Sequence, residues 1–270
     1  MNKTCVLIPH YNNPDGLYRS IASIAPTECV DICIVDDGSK DRISEEKTNE
    51  AFLAKGDIKL IYLTENGGIV TALNAGLRYI LSHSKYKYIA RLDCGDRNIG
   101  ERFRIQEEFM ASNPEIALCG TSIIYTALDG EQLFKTKPKT RHKEILKEIW
   151  LRNPFAHPSV IFKTTVIKKI GYYSKEFAHI EDYVFFFRLA KHFKTANLDI
   201  PLVRYEVDQN SITGKNRIKQ LNNTAKFLIH QKQLPLRGII GIGMLYIKSI
   251  LPRSLLIQIK KLTENKNNTP

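Results

Sequence analysis

Three pairs of acidic residues stand at positions suited to chemistry. RLDCGD (residues 91–96) carries Asp93 and Asp96 at the end of a Tyr- and Ile-rich run, IVDDGS (34–39) carries Asp36 and Asp37 at the end of another, and IEDYVFFF (180–187) opens an aromatic helical stretch with Glu181 and Asp182. A carboxylate at a strand end can accept hydrogen bonds from ribose hydroxyls or a base N–H, or coordinate a hard divalent cation, and the adjoining Gly38 and Gly95 let the backbone approach a ligand. Two of the pairs have plainer uses. Asp36 and Asp37 can start a turn and cap the next helix, and Glu181 and Asp182 can complement the dipole of the helix they open. A fourth candidate, Asn66-Gly67-Gly68, runs into a helix through Ala72, Asn74 and Gly76, an entry suited to phosphate. Neither G-x-G-x-x-G nor a P-loop occurs, which argues against a dinucleotide-binding dehydrogenase or a P-loop nucleotidase.

Short apolar runs at 5–8, 32–35, 58–63, 88–92 and 116–119, each bounded by Gly, Pro, Asn or Asp, must position these acids. Between them lie helix-period segments carrying Leu17, Ile21 and Ile24, then Val70, Leu73, Leu77 and Ile80, then Phe103, Phe109 and Met110. This alternation predicts an α/β fold, a mostly parallel central sheet flanked by helices, with ligands gathered at the carboxyl ends of its strands. Beyond residue 121 the pattern loosens into a hairpin over 121–134 around Asp129-Gly130, a helix over 141–151, a strand over 158–162, a helix over 181–192 and an irregular strand over 197–204. No internal repeat or linker interrupts the chain before about residue 212.

With 270 residues, 43% of them hydrophobic and 25% charged, the chain can bury a sizeable core. Its five cysteines are odd in number and scattered, and the Cys29/Cys33 pair lacks a second pair at zinc-like spacing, so reduced thiols in a reducing compartment are expected. The first apolar run is four residues long before Pro9, too short for a signal peptide, and the expected location is cytoplasmic. Residues 214–262 hold ten basic side chains and no acidic one, so most of the formal net charge of +12 falls in a tail. Within it, 236–251 is apolar nearly all round and too short to span a bilayer, and 253–262 sets Leu255, Leu256, Ile259 and Leu262 beside Arg253, Lys260 and Lys261. Two apolar, basic helices fit an in-plane anchor on an anionic membrane; packing on the body or on a second copy is the alternative. Phe227 and Tyr246 are too few stacking aromatics for a nucleic-acid arm, and no nucleic-acid partner is expected.

Taken in order, VLIPHYN (6–12), IVDDGSKD (34–41), NGGIVTALNAGL (66–77), YIARLDCGD (88–96), ERFRIQ (101–106), NPFAHPSVIF (153–162), IEDYVFFFRLA (180–190) and ANLDIPLVRYEVDQNSI (196–212) make the chain resemble the family 2 glycosyltransferases with the GT-A nucleotide-sugar fold. The likeness covers about residues 4–212, so residues 1–212 would be the transferase domain and 213–270 a basic, apolar helical extension. It implies inverting transfer of a sugar from a uridine or deoxythymidine diphosphate donor to a glycan acceptor, lipid-linked, in bacterial surface-polysaccharide synthesis, by a protein peripheral at the inner face of the cell membrane. Pro9 and Tyr11 would lie beside the base, Asp37 would contact it, Asn66 would sit in the donor loop, Asp93 would hold the ribose, and Asp182, with Glu181 beside it, would be the general base. Arg188 would aid the diphosphate or pair with a core acid. His157 would shape the acceptor side or hold a loop corner, and Trp150, the sole tryptophan, would be a core residue or stack under an acceptor sugar.

The likeness breaks at the metal. The family writes Asp-Ala-Asp-Asp where this chain has Asp93-Cys94-Gly95-Asp96, and the third position supplies the carboxylate for Mg²⁺ or Mn²⁺. A late histidine that can join the metal is replaced by Asp208. Gly95 permits a turn that would swing Asp96 toward the diphosphate, and Asp96 with Asp208 would then form a rebuilt site. The alternatives are metal-independent transfer aided by Arg or Lys, and a non-catalytic protein that binds nucleotide sugar or glycan. A nucleotide-sugar pyrophosphorylase would need a glycine-rich, arginine-containing loop after the first strand, and HYNNP (10–14) is not one.

Overall fold

A computed structural model describes residues 2–127, 130–207 and 216–251. Its strands are β1 (Thr4–His10), β2 (Asp31–Asp36), β3 (Ile58–Tyr62), β4 (Tyr88–Arg91), β5 (Arg97–Asn98), β6 (Ile116–Thr126), β7 (Gln132–Lys135), β8 (Ile161–Lys163) and β9 (Lys194–Glu206). They form one sheet in the order β3-β2-β1-β4-β8-β6-β9-β5, with β7 paired to β6. β1, β2, β3, β4, β6 and β9 share one direction and β5, β7 and β8 oppose it, so the sheet is mostly parallel.

The helices are α1 (Pro14–Ala22), α2 (Glu45–Ala51), α3 (Ile69–Leu81), α4 (Arg102–Ser112), α5 (His142–Glu148), α6 (Ile167–Ile170), α7 (Glu181–His192), α8 (Arg217–Ile229) and α9 (Leu236–Ile250). Every residue of β1 is buried, and period-two alternation divides it between two cores. Cys5 and Leu7 meet α3 through Leu73 and Leu77, together with Phe185 and Phe186 of α7, while Val6 and Ile8 meet Leu17 and Ile21 of α1 and Phe103 of α4. Because β2 and β4 flank β1 on opposite sides, the strand order reverses there, and a crevice opens between the carboxyl ends of β1 and β4. Residues 9–13 and 92–96 leave their strands at that crevice.

The second half differs from expectation in detail. The expected strand at 116–119 and the first arm of the hairpin are one strand, β6, because β8 and β9 pair along its two edges; its register slips at Thr121 and Ser122, next to the irregular stretch of β9 around Pro201. The hairpin closes with Thr126 opposite Gln132. His157, Pro158 and Ser159 form a short 3-10 turn before β8 rather than part of a strand, since proline has no N–H for a ladder.

The tail packs with one face and not the other. Phe227 of α8 sets its ring against Phe187 and Tyr183, and Leu228 and Leu245 join Ile149 in the same apolar cluster. Arg217 donates to the carbonyls of Lys248 and Leu251, closing the end of α9. Gly241 of α9 lies so near the body that a Cβ there would stand 2.0 Å from the Trp150 carbonyl oxygen. Gly241→Ala should therefore lift α9 and cost about 1–3 kcal/mol as an overpacked contact, read as a lower denaturation midpoint together with a changed emission from Trp150. The opposite side of α9 exposes Leu236, Ile239, Ile240, Tyr246, Ile247 and Ile250. Among the described residues no helix is long and apolar enough to cross a membrane. The expected helix at 253–262 and the expected boundary at residue 212 lie outside the described residues.

Candidate active site

Two adjoining cavities open at the crevice. One, of about 430 Å³, is lined by Pro9, Tyr11, Asp37, Asn66, Gly68 and Asp93. The other, of about 530 Å³, is lined by Asp93, Asn153, His157, Glu181, Asp182 and residues of α8 and α9. Ile69 and Asp93 belong to both. Eight residues singled out from the sequence thus converge on one cleft. Arg188 and Asp96 line neither cavity, and Asp208 lies outside the described residues. Trp150 is a core residue: its ring meets Phe187 edge-on at 4.9 Å and packs under Gly238 of α9.

The first cavity is shaped by acids that hold the backbone. Asp36 accepts a hydrogen bond from the Ser39 amide at 2.7 Å, the plainer of its two expected uses. Asp37 accepts from the Gly67 amide at 3.0 Å, the Gly68 amide at 2.8 Å and the Asn66 side chain at 3.0 Å. Its carboxylate therefore ties the loop before α3 to the end of β2, and two amides expected to meet phosphate already have a partner. The close approach requires Gly38, whose φ is +70° and whose added Cβ would lie 2.4 Å from the Glu65 carbonyl carbon. What remains for an anion is the first turn of α3, where Ile69 faces the junction of the cavities.

Arg91 organises the junction. Fully buried, its guanidinium donates to the Leu7 carbonyl and to the Asp93 carboxylate, while its Nε–H reaches His157 Nε2 at 3.2 Å. The Tyr173 hydroxyl lies 3.0 Å from the same imidazole nitrogen. Burial and the neighbouring guanidinium push His157 down to about 3, so it is a neutral acceptor that fixes Arg91 rather than a proton carrier. Asp93, with 32% of its side chain exposed, is held by Arg91 with an edge turned to the cleft. The sequence reading gave Arg91 no role, although a lone arginine in an otherwise apolar strand (YIARL) needs a buried partner.

The chain turns at Gly95 (φ +103°), with the Asp96 amide donating to the Asp93 carbonyl at 3.0 Å. The turn carries Asp96 inward rather than toward the diphosphate side. Its carboxyl is buried beside the Glu206 amide, and burial followed by the nearby Asp93 raises its pKa well above the usual range, which favours the protonated form. A buried, protonated carboxyl is a poor ligand for Mg²⁺ or Mn²⁺. Among the described residues no three His, Cys, Asp or Glu side chains converge on a cation. Among the described residues Asp96 therefore does not fit a protein-built metal centre, and Asp208, its expected companion, lies outside them.

Asp182 stands in the first turn of α7. It accepts from Asn153 Nδ2 at 2.9 Å and from the Tyr183 amide at 2.7 Å. Burial, then the adjacent Glu181, raises it to about 7. A carboxyl titrating near neutrality in a cavity wall is suited to taking a proton from a hydroxyl. Glu181 is itself raised by burial, and its Oε2 has no hydrogen-bond partner among the described residues. Asn153, which aims Asp182, is marked in the sequence only by its place at the head of NPFAHPSVIF.

The family model described as Glycosyl transferase family 2 matches residues 5–171. The chain is 28% identical over 223 residues to the amylovoran biosynthesis glycosyltransferase AmsE of Erwinia amylovora, covering 79% of this chain and 81% of that protein. It is 26% identical over 238 residues to the UDP-Gal:alpha-D-GlcNAc-diphosphoundecaprenol beta-1,3-galactosyltransferase of Escherichia coli, covering 84% and 82%. Against the bifunctional glycosyltransferase pgtA of Dictyostelium discoideum the identity is 28% over 80% of this chain, which spans 32% of that protein's length. The mannosyltransferase PcManGT of Pyrobaculum calidifontis, solved with GDP-Man and Mn²⁺, superposes with a TM-score of 0.63 over 99% of this chain and 76% of its own, at 14% identity. The architecture is the GT-A fold.

Proposed function

The chain belongs to glycosyl transferase family 2, and from that premise we propose that it transfers a sugar with inversion from a uridine or deoxythymidine diphosphate donor to a lipid-linked glycan in surface-polysaccharide synthesis. The observation that carries this reading is the pair of cavities meeting at Asp93, one lined by strand-end residues and the other by a carboxyl held near neutrality. The base lies against Pro9 and Tyr11, the ribose hydroxyls at Asp93, and the diphosphate at the first turn of α3. An acceptor hydroxyl in the second cavity gives its proton to Asp182 as its oxygen attacks the anomeric carbon. The bond to the diphosphate oxygen breaks on the opposite face, and the electron pair leaves with the nucleoside diphosphate. Glu181, beside the base, adds to the burial that holds the Asp182 carboxyl near neutrality.

The acceptor class draws support from the outward apolar strip of α9, from the tail's excess of basic residues, and from the diphosphoundecaprenol acceptor in the name of the Escherichia coli relative. Together they favour a peripheral protein at the inner face of the cell membrane. The reading is tested by screening nucleotide sugars for thermal stabilisation, then determining the anomeric configuration of the product by NMR. An α-configured donor should raise the melting temperature progressively with its concentration and yield a β-linkage; an α-linked product would sink the direct-displacement mechanism.

A further inference from the structure

The acceptor-side cavity is walled partly by the tail. Leu245 and Lys248 of α9 line it together with Asp182. Gly238, Gly241, Leu245 and Lys248 recur at helical spacing on one side of α9, and the first three are buried against the body. A lysine ends this packed stripe. It is half-buried, and among the described residues no carboxylate lies within ion-pair distance of it; burial and the nearby Arg152 both lower its pKa. Arg152 lines the same cavity with its Nε bound to Glu148 at 2.6 Å. Glu148 thus pairs with Arg152 and not with Lys248, whose positive charge faces a cavity that Asp93 and Asp182 also line. A half-buried ammonium without a partner is costly unless an anion arrives to meet it.

We propose that Lys248, with Arg152, binds the phosphate group through which the acceptor glycan is joined to its lipid, while the outward strip of α9 rests on an anionic bilayer. This rests on the membrane-borne acceptor proposed above and adds the residues that recognise it. The groups around α9 fit such a molecule: Ile240, Ile247 and Ile250 are exposed for the acyl chains, while Lys248 for the phosphate and Asp182 for the sugar hydroxyl line one cavity. The absence of any Asp or Glu between residues 214 and 262 removes repulsion from both the phosphate and the surface.

The test uses the full chain saturated with UDP, so that the donor cavity is filled, and farnesyl diphosphate as the probe, followed by the emission of Trp150. Saturable binding is expected. Lys248→Met should weaken it by about tenfold or more, the effect of losing one charge-assisted hydrogen bond, and Arg152→Gln should weaken it as well. Stabilisation by UDP should be unchanged in both variants, which shows that they are folded. Equal affinity of the wild type and Lys248→Met for farnesyl diphosphate would overturn the assignment. Inorganic pyrophosphate binding as tightly as the farnesyl compound, together with indifference of the protein to anionic vesicles, would overturn the lipid source. Transfer chemistry is read separately from the product anomer, so its failure is distinguishable from the failure of this site.

Discussion

Asp182→Asn should lower turnover by about a hundredfold or more, the usual contribution of a positioned general base, while nucleotide-sugar binding persists because the residues lining the other cavity are untouched. In the wild type kcat/KM should climb about tenfold per pH unit and level off near pH 7, where the Asp182 carboxyl, raised by burial and by Glu181, loses its proton. The same shift predicts a stability effect of opposite sense. The folded-state value lies above the ordinary 3.8, so from about pH 4 to 7 the unfolded chain has released this proton while the folded chain retains it. The unfolded state binds fewer protons in that window, and the wild type loses stability from this site as pH rises through it. Asparagine cannot ionise, so the melting temperature of Asp182→Asn should gain on that of the wild type between pH 4 and 8. A pH-independent difference in melting temperature, with a flat rate profile, would count against the role.

Arg91→Leu should be the most damaging single change near the cleft. Leucine replaces much of the buried stem but leaves the Leu7 carbonyl, the His157 acceptor nitrogen and the Asp93 carboxylate without the guanidinium that meets them. Losing one partner of a buried charged network costs about 3–5 kcal/mol, reduced here because Asp93 reaches water with 32% of its side chain. A fall of about 2–4 kcal/mol in unfolding free energy by urea titration is the expected size, accompanied by loss of donor binding. Asp93→Asn, which keeps an acceptor for Arg91, should leave most of the stability while weakening the donor. Wild-type stability in Arg91→Leu would remove the junction from its central place.

Much of the fold was legible because it rests on local signals. The runs at 5–8, 32–35 and 88–92 are short, apolar and bounded by turn residues, and they are strands of the sheet; the helix over 181–192 matches its expected limits because acids open it and an apolar, aromatic series follows. Their shared topology brings Pro9, Asp37, Asp93 and Asp182 to one cleft. What sequence did not convey depends on contacts between distant segments. Asp37 could have met a base, and whether it instead holds residues 66–68 is decided by a close approach 30 residues along the chain. Gly95 does turn the chain, as its type allowed, but the direction taken by Asp96 follows from the pairing of β5 with β9. Lys248 was one of ten basic residues in a tail until the contact between Gly241 and Trp150 fixed which side of α9 faces inward.

The turn at Gly95 also bears on how this chain could change over generations. A Cβ at that position would meet nothing within 4 Å, so the family's usual carboxylate would find room, and the obstacle is the backbone angle of +103° rather than space. Glycine takes that angle without strain, and a residue with a Cβ does not. Restoring a carboxylate there would therefore be opposed by the backbone rather than by crowding, and Asp208 would still stand where the family can place a histidine.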